Sequence, residues 1–191
     1  ADLPLAVSMA IHEPFSARAL VFALLLDSDS SLRRTQLQRL AELTDAATVH
    51  ETTLLADSSR ELGSMQRLPL IDLALPALRG MSAKQYDAFE QGVTTLVEAD
   101  QRTDLFEFAL QHALRRHLSS SYRRLPRTSP TFRSLRPVSR DCQVLLSQLA
   151  RSTPADEEQA QAAFDAGVGA LAIGDPLTLL PPAQCDLREL D

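Results

Sequence analysis

Two His-Glu dipeptides, His12-Glu13 and His50-Glu51, are the residues whose types come nearest to metal chemistry. In the zinc peptidase motif H-E-x-x-H, two histidines one helical turn apart hold the ion and the glutamate acts as general base. Here the position of the second histidine is Ser16 in one case and Leu54 in the other, and Pro14 interrupts the first. Both pairs read as surface or helix-end histidines. His112 and His117 are offset by about 140° if helical, so they cannot chelate from one face.

The acids are the next candidates. Asp100, Asp104 and Glu107 invite comparison with a calcium loop, but the D-x-D-x-D-G pattern and its closing glutamate are absent. Helix capping explains them: Thr103 caps the following helix, and Asp104 and Glu107 sit in its first turn, where negative charge gains about 0.3–1 kcal/mol each. Asp72, alone in an apolar stretch, is either a perturbed functional acid or the partner of an arginine or a freed amide. No Gly-rich phosphate loop occurs among the six glycines, and there is no G-x-S-x-G elbow or recognisable Cys/His pairing. No catalytic, cofactor-binding or metal-ligating residue is therefore assigned to this chain.

Charge is distributed unevenly. The net charge of −6 argues against nucleic-acid binding by the chain as a whole, yet eight arginines and no acid lie between Phe108 and Arg140. Arg115, Arg116, Arg123 and Arg124 are the candidate partner-binding residues, for anionic lipid head groups or an acidic protein surface. Nucleic acid is the weaker option, because only Tyr122 and Phe132 are there to stack bases. Cys142 and Cys185 are too few and too far apart for a disulfide framework or a metal knuckle.

The elements that must position these residues read as helices throughout. Pro14 opens a helix to about Leu26, with Phe15, Ala19, Phe22 and Leu26 at helical spacing and Val21, Leu24 and Leu25 widening the stripe. Apolar on most sides, it should be central. An amphipathic helix follows with Leu32, Leu37, Leu40 and Leu43, then a weaker one from about Asp45 to Leu62. Leu68 to Arg79 reads as a buried helix with Pro69 in its first turn and a kink at Pro76. Ser82 and Gln85 form a capping box ahead of the stripe Tyr86, Phe89, Val93, Leu96 and Val97. The next helix carries Phe106, Ala109, Leu110, Ala113, Leu114 and Leu118 and should pack antiparallel to it.

Residues 119–137 have the Ser, Arg and Pro composition of a linker. Val138, Cys142, Leu145, Leu146 and Leu149 then resume the helical period, and Thr153-Pro154-Ala155-Asp156 starts a last helix with Phe164, Val168 and Leu171 inward. Leu177 to Pro182 should run extended. The expectation is an all-α bundle or array of about eight to nine helices. It forms one domain over 1–191, in which 119–137 can act as a linker between 1–118 and a smaller part, 138–191. The longest apolar run, Ala19 to Leu26, is too short for a membrane span, which needs roughly 20 residues.

Two stretches carry a resemblance: HEPFSARALVFALLLD, from His12 to Asp27, and LPLIDLALPALR, from Leu68 to Arg79. They resemble the C-terminal region of bacterial membrane-anchored zinc metallopeptidases of the HtpX type, over about residues 5 to 120. The resemblance implies that the H-E-x-x-H helix, the zinc and the membrane segments lie upstream, and that this chain is a helical extension. It would be a soluble domain of an inner-membrane protein, on the cytoplasmic side. Glu98 to Glu107 is also similar to the acidic turn of TerB-like helical domains. There the glycine expected after the Asp is Gln101, which removes the residue best suited to a left-handed turn.

The expected function is that of a non-catalytic accessory domain, regulating the peptidase or binding protein. The alternatives are an independent helical module that uses its arginines on anionic partners, and a small hydrolase or metal-dependent enzyme assembled from distant acids such as Asp72, Asp100 and Asp104.

Overall fold

The computed structural model describes residues 3–60, 62–100, 104–122, 134–152, 156–171, 173 and 176–190, apart from the side chains at 64, 100 and 189. The fold is all-α: among the described residues there are nine α-helices and no strand. The chain divides into two compact units, Ala1–Arg102 with Ala109–Leu125, and Thr103–Phe108 with Pro126–Asp191. The later junction falls within 119–137, of which 123–133 lie outside the described residues.

In the first unit α2 (Pro14–Leu25) is the centre. Ala17 and every residue from Ala19 to Leu25 are buried, because a helix without a polar face has no side to give to water. Phe15 is the exception to the expected stripe: it lies in the first turn, exposed, with the Arg18 guanidinium 5.7 Å from its ring centre. Around α2 are packed α1 (Leu5–Ala10), α4 (Ala46–Ser59), α5 (Ser64–Leu78) and α6 (Ala83–Val97), while α3 (Ser30–Leu43) lies against α4 and α6. Gly92 lets α6 approach closely: a Cβ there would stand 2.7 Å from the Phe22 ring and 3.3 Å from Leu40.

Side-chain oxygens and amides start these helices. Asp29 accepts from the Ser31 and Leu32 amides at the head of α3, Asp45 from Thr48 at the head of α4, and Ser82 and Gln85 form the predicted capping box. A buried amide ties three helices together. Gln36 Oε1 accepts from the Asp27 N–H at 2.8 Å, and Nε2 donates to the carbonyls of Leu25 and Leu96, both at 3.1 Å. These bonds close the end of α2 and the last turn of α6 with one side chain from α3.

Two expectations for this unit need correction. The helix around Leu68 starts at Ser64, so Pro69 lies inside it rather than in its first turn, and one of its faces is exposed rather than buried. Both Pro69 and Pro76 are on the exposed side, where water can take the carbonyls of Met65 and Asp72 that the prolines leave unbonded. Of the expected apolar side of α3, Leu40 is buried and Leu32 and Leu37 are half-buried, and only Leu43 is exposed; the polar Gln36 is buried with Leu40.

α7 (Leu105–Tyr122) continues four residues beyond Leu118, into the stretch expected to be irregular. The Ser119 hydroxyl donates to the Arg115 carbonyl, and Tyr122 stacks on Tyr86 with ring centres 4.4 Å apart. The last turn of α7 thus meets the first turns of α6, the antiparallel arrangement expected.

The second unit contains α8 (Ser139–Arg151), α9 (Glu157–Leu171) and short 3-10 turns. Its fully buried row on α8 is Val144, Ser147 and Ala150; of the predicted stripe, Cys142, Leu145 and Leu146 are half-buried, with Leu145 packed against the core, and Leu149 is exposed. A serine hid the row: the Ser147 hydroxyl accepts from the Leu180 N–H at 3.0 Å, which fixes the chain that runs without regular structure before Pro182. Asp156, not Thr153, caps α9, accepting from the Gln159 amide; Thr153 itself lies outside the described residues. Phe164 is buried as expected, whereas Leu171 is exposed. Val144, Leu180, Cys185 and Leu187 form the local core, with Leu105 and Phe108 packed against it.

Gly92→Ala should destabilise the protein by about 1–2 kcal/mol in urea unfolding, since overpacking against Phe22 outweighs a helix-propensity gain of about 1 kcal/mol. A more stable variant would contradict the close approach. Gln36→Ala should cost roughly 3 kcal/mol by leaving buried backbone groups unpaired.

Candidate functional site

The two His-Glu pairs separate in space according to helix position. His12 and Glu13 are exposed in the turn before α2, and His50 is exposed on α4. Glu51 is half-buried and accepts a hydrogen bond from the Ser16 hydroxyl at 2.9 Å. The residue standing where a second histidine would be needed is therefore an anchor between α2 and α4. His112 and His117 are both exposed on α7. Among the described residues no group of three His, Cys, Asp or Glu is arranged to hold a metal ion.

The acids of the turn before α7 serve the helix end. Asp104 accepts from the Glu107 amide at 2.8 Å, and Glu107 accepts from the Asp104 amide at 2.9 Å. This is a reciprocal capping box with Asp104 as the cap, in place of the expected Thr103, which lies outside the described residues with Gln101; the Asp100 side chain lies outside them too. Asp72 is on the exposed side of α5. Neither cysteine is set up as a nucleophile. Burial pushes both thiols up, and the neighbouring Asp141 pushes Cys142 further, the opposite of what a reactive thiolate needs.

Of the four candidate arginines, Arg115 and Arg116 are exposed on α7, and Arg123 and Arg124 lie outside the described residues. Neither Arg115 nor Arg116 has an ion-pair partner among the described residues. Beside Arg115 a small cleft opens between α6 and α7. Tyr86, Phe89 and Val93 of α6 and Leu114 of α7 supply its apolar surface; Glu90, Thr94, Gln111 and Arg115 supply its rim. The Tyr122 hydroxyl closes the neighbouring turn by donating to the Leu78 carbonyl at 2.5 Å.

The sequence pattern does not by itself predict an exposed apolar face on α5. Met65, Leu68, Pro69, Asp72, Leu73 and Pro76 are all exposed on α5, within about 140° of arc. Met65 is 87% exposed, Leu73 53% and Leu68 38%, and Asp72 is the single charge among them. The opposite arc, Leu70, Ile71, Ala74, Leu75 and Leu78, is buried in the first unit. The signal was present in the sequence, since a helix apolar on all sides either is buried entirely or keeps an apolar face for something else. No helix among the described residues is long and apolar enough to cross a membrane.

The sequence matches no protein-family model and no curated protein, and the fold matches no solved structure.

Several carboxylates are held below their ordinary range by bonds that exist only in the fold. Hydrogen bonds from Ser31 and Leu32 do this for Asp29, the Thr48 amide for Asp45, and the side chain and amide of Arg188 bring Asp186 to about 2. Their folded pKa lies under the unfolded value of about 4, so the stability they contribute is complete above it and is lost as pH falls toward the folded value. The melting temperature should drop between about pH 5 and pH 2, and Asp186→Asn should remove part of that drop. A melting temperature constant across that window would contradict the assignment.

Proposed function

We propose that this chain is a non-catalytic helical accessory domain that works by protein contact, and that its partner is the zinc metallopeptidase domain of the same polypeptide, lying upstream. The observation that carries the reading is the outward face of α5. An apolar face of this kind on a well-packed helix is costly in water and is the usual mark of a docking surface. The two segments behind the resemblance to HtpX-type peptidases are the buried helix α2 and this half-exposed helix α5. One builds the domain, and the other has a side left over for a partner.

On this reading the zinc, its ligands and the general base belong to the upstream domain, and the parent is anchored in the bacterial inner membrane with this part on the cytoplasmic side. The described acids support an accessory role, because Asp29, Asp45, Asp104 and Asp156 are engaged at helix starts. The faint TerB-like similarity adds no metal site to this proposal, since Asp104 and Glu107 cap each other.

Coding sequence upstream of residue 1 should contain H-E-x-x-H and transmembrane helices; a gene beginning near residue 1 would remove the proposal. Titration calorimetry of this chain with the separately produced peptidase portion should show binding that Met65→Glu and Leu73→Glu each weaken about tenfold or more. Thermal midpoints should stay unchanged, because both side chains face solvent. Equal binding by wild type and both variants would contradict the role of α5.

A further inference from the structure

The α6–α7 cleft lies on different residues from the α5 face and has a chemistry of its own. Its volume is about 40 Å³, far too small for a nucleotide or an organic cofactor but sufficient for the end of one aliphatic side chain. Phe89, Val93 and Leu114 give that end an apolar seat.

Charge around the cleft is one-sided. From Phe108 to Tyr122 the sequence of α7 has no Asp or Glu, and Arg115, His112 and Arg116 share about 100° of its surface. Arg115 lines the cleft, and its guanidinium has no acceptor among the described residues. Glu90 stands on the α6 side and accepts a hydrogen bond from the Tyr86 hydroxyl at 3.4 Å. A carboxylate entering the cleft is thus repelled by one rim and attracted by the other, which orients it toward α7.

We propose that this cleft binds a short acidic peptide segment of a partner protein, one aliphatic side chain seated on Phe89, Val93 and Leu114 and an adjacent carboxylate paired with Arg115. The chain's net charge of −6 disfavours a long polyanion at a distance, whereas one or two carboxylates beside an apolar anchor need only the local pairing. Arginine suits the role because its planar fork accepts a carboxylate in bidentate fashion. The proposal does not rest on the α5 reading, and either can fail without the other.

The test is a two-dimensional amide NMR titration of the whole chain with a short peptide carrying one Leu flanked by glutamates. Shifts should gather at Phe89, Val93, Leu114 and Arg115. Arg115→Ala should weaken binding about tenfold, with Arg116→Ala affecting it less. Gln111→Trp, which fills the rim without changing charge, should abolish it while circular dichroism stays that of the wild type. Peptides with Ala for the Leu, or Lys for the glutamates, should not bind. The proposal is overturned if the Ala peptide binds equally, if Arg115→Ala has no effect, or if no shifts appear. It is equally overturned if only anionic vesicles or RNA, and not the peptide, perturb these amides.

Discussion

A helix that offers water no polar side has to be enclosed, and the first unit is the arrangement that encloses α2. Each Leu, Val or Phe buried along it contributes roughly 1.5–3 kcal/mol relative to exposure, so the drive to surround it exceeds that of any local preference in the chain. Two helices of this unit bury few large apolar side chains of their own. α4 buries two threonines beside Leu55, and α3 buries a glutamine beside Leu40. α4 is held because α2 supplies the apolar surface it lacks, and α3 because it packs on α4 and α6 and its Gln36 joins the ends of α2 and α6 through backbone groups that would otherwise be left unbonded in the interior.

Enclosure also accounts for where function can reside. Several acids at the periphery begin helices, as Asp29, Asp45, Asp104 and Asp156 do, and Ser16 and Glu51 fasten one helix to the next. Ser16 and Glu51, which stand in the two incomplete metal motifs, are spent on each other. Among the described residues, the outer arc of α5 is left as an apolar surface and the basic side of α7 as a cationic one. On the two proposals, these surfaces select for different partners.

Much of the fold was legible in the sequence. The enclosure of α2, the capping box at Ser82 and the stripe on α6 followed from side-chain spacing, because in each case the local pattern and the tertiary environment agree. The failures occur where they disagree. Ser147 and Gln36 are polar residues in buried rows, satisfied by partners 33 and up to 60 residues away, and no local window reveals such partners. The caps Asp104 and Asp156 were displaced from the threonines three or fewer positions earlier, since several residues in a run can cap and only backbone geometry chooses. The exposed face of α5 was missed for a different reason. Apolar composition implies burial for α2 but for only half of α5, where the first unit has helices to cover one side alone.

The central proposal, that the outer face of α5 is covered by an upstream peptidase domain, is tested most directly by methionine oxidation. The chain has three methionines: Met65 on that face, Met81 buried, and Met9 exposed on α1. With dilute peroxide and mass spectrometry, Met65 should oxidise rapidly in the isolated chain and become protected in the intact polypeptide, while Met81 resists in both. Equal oxidation of Met65 in the two forms would contradict the account.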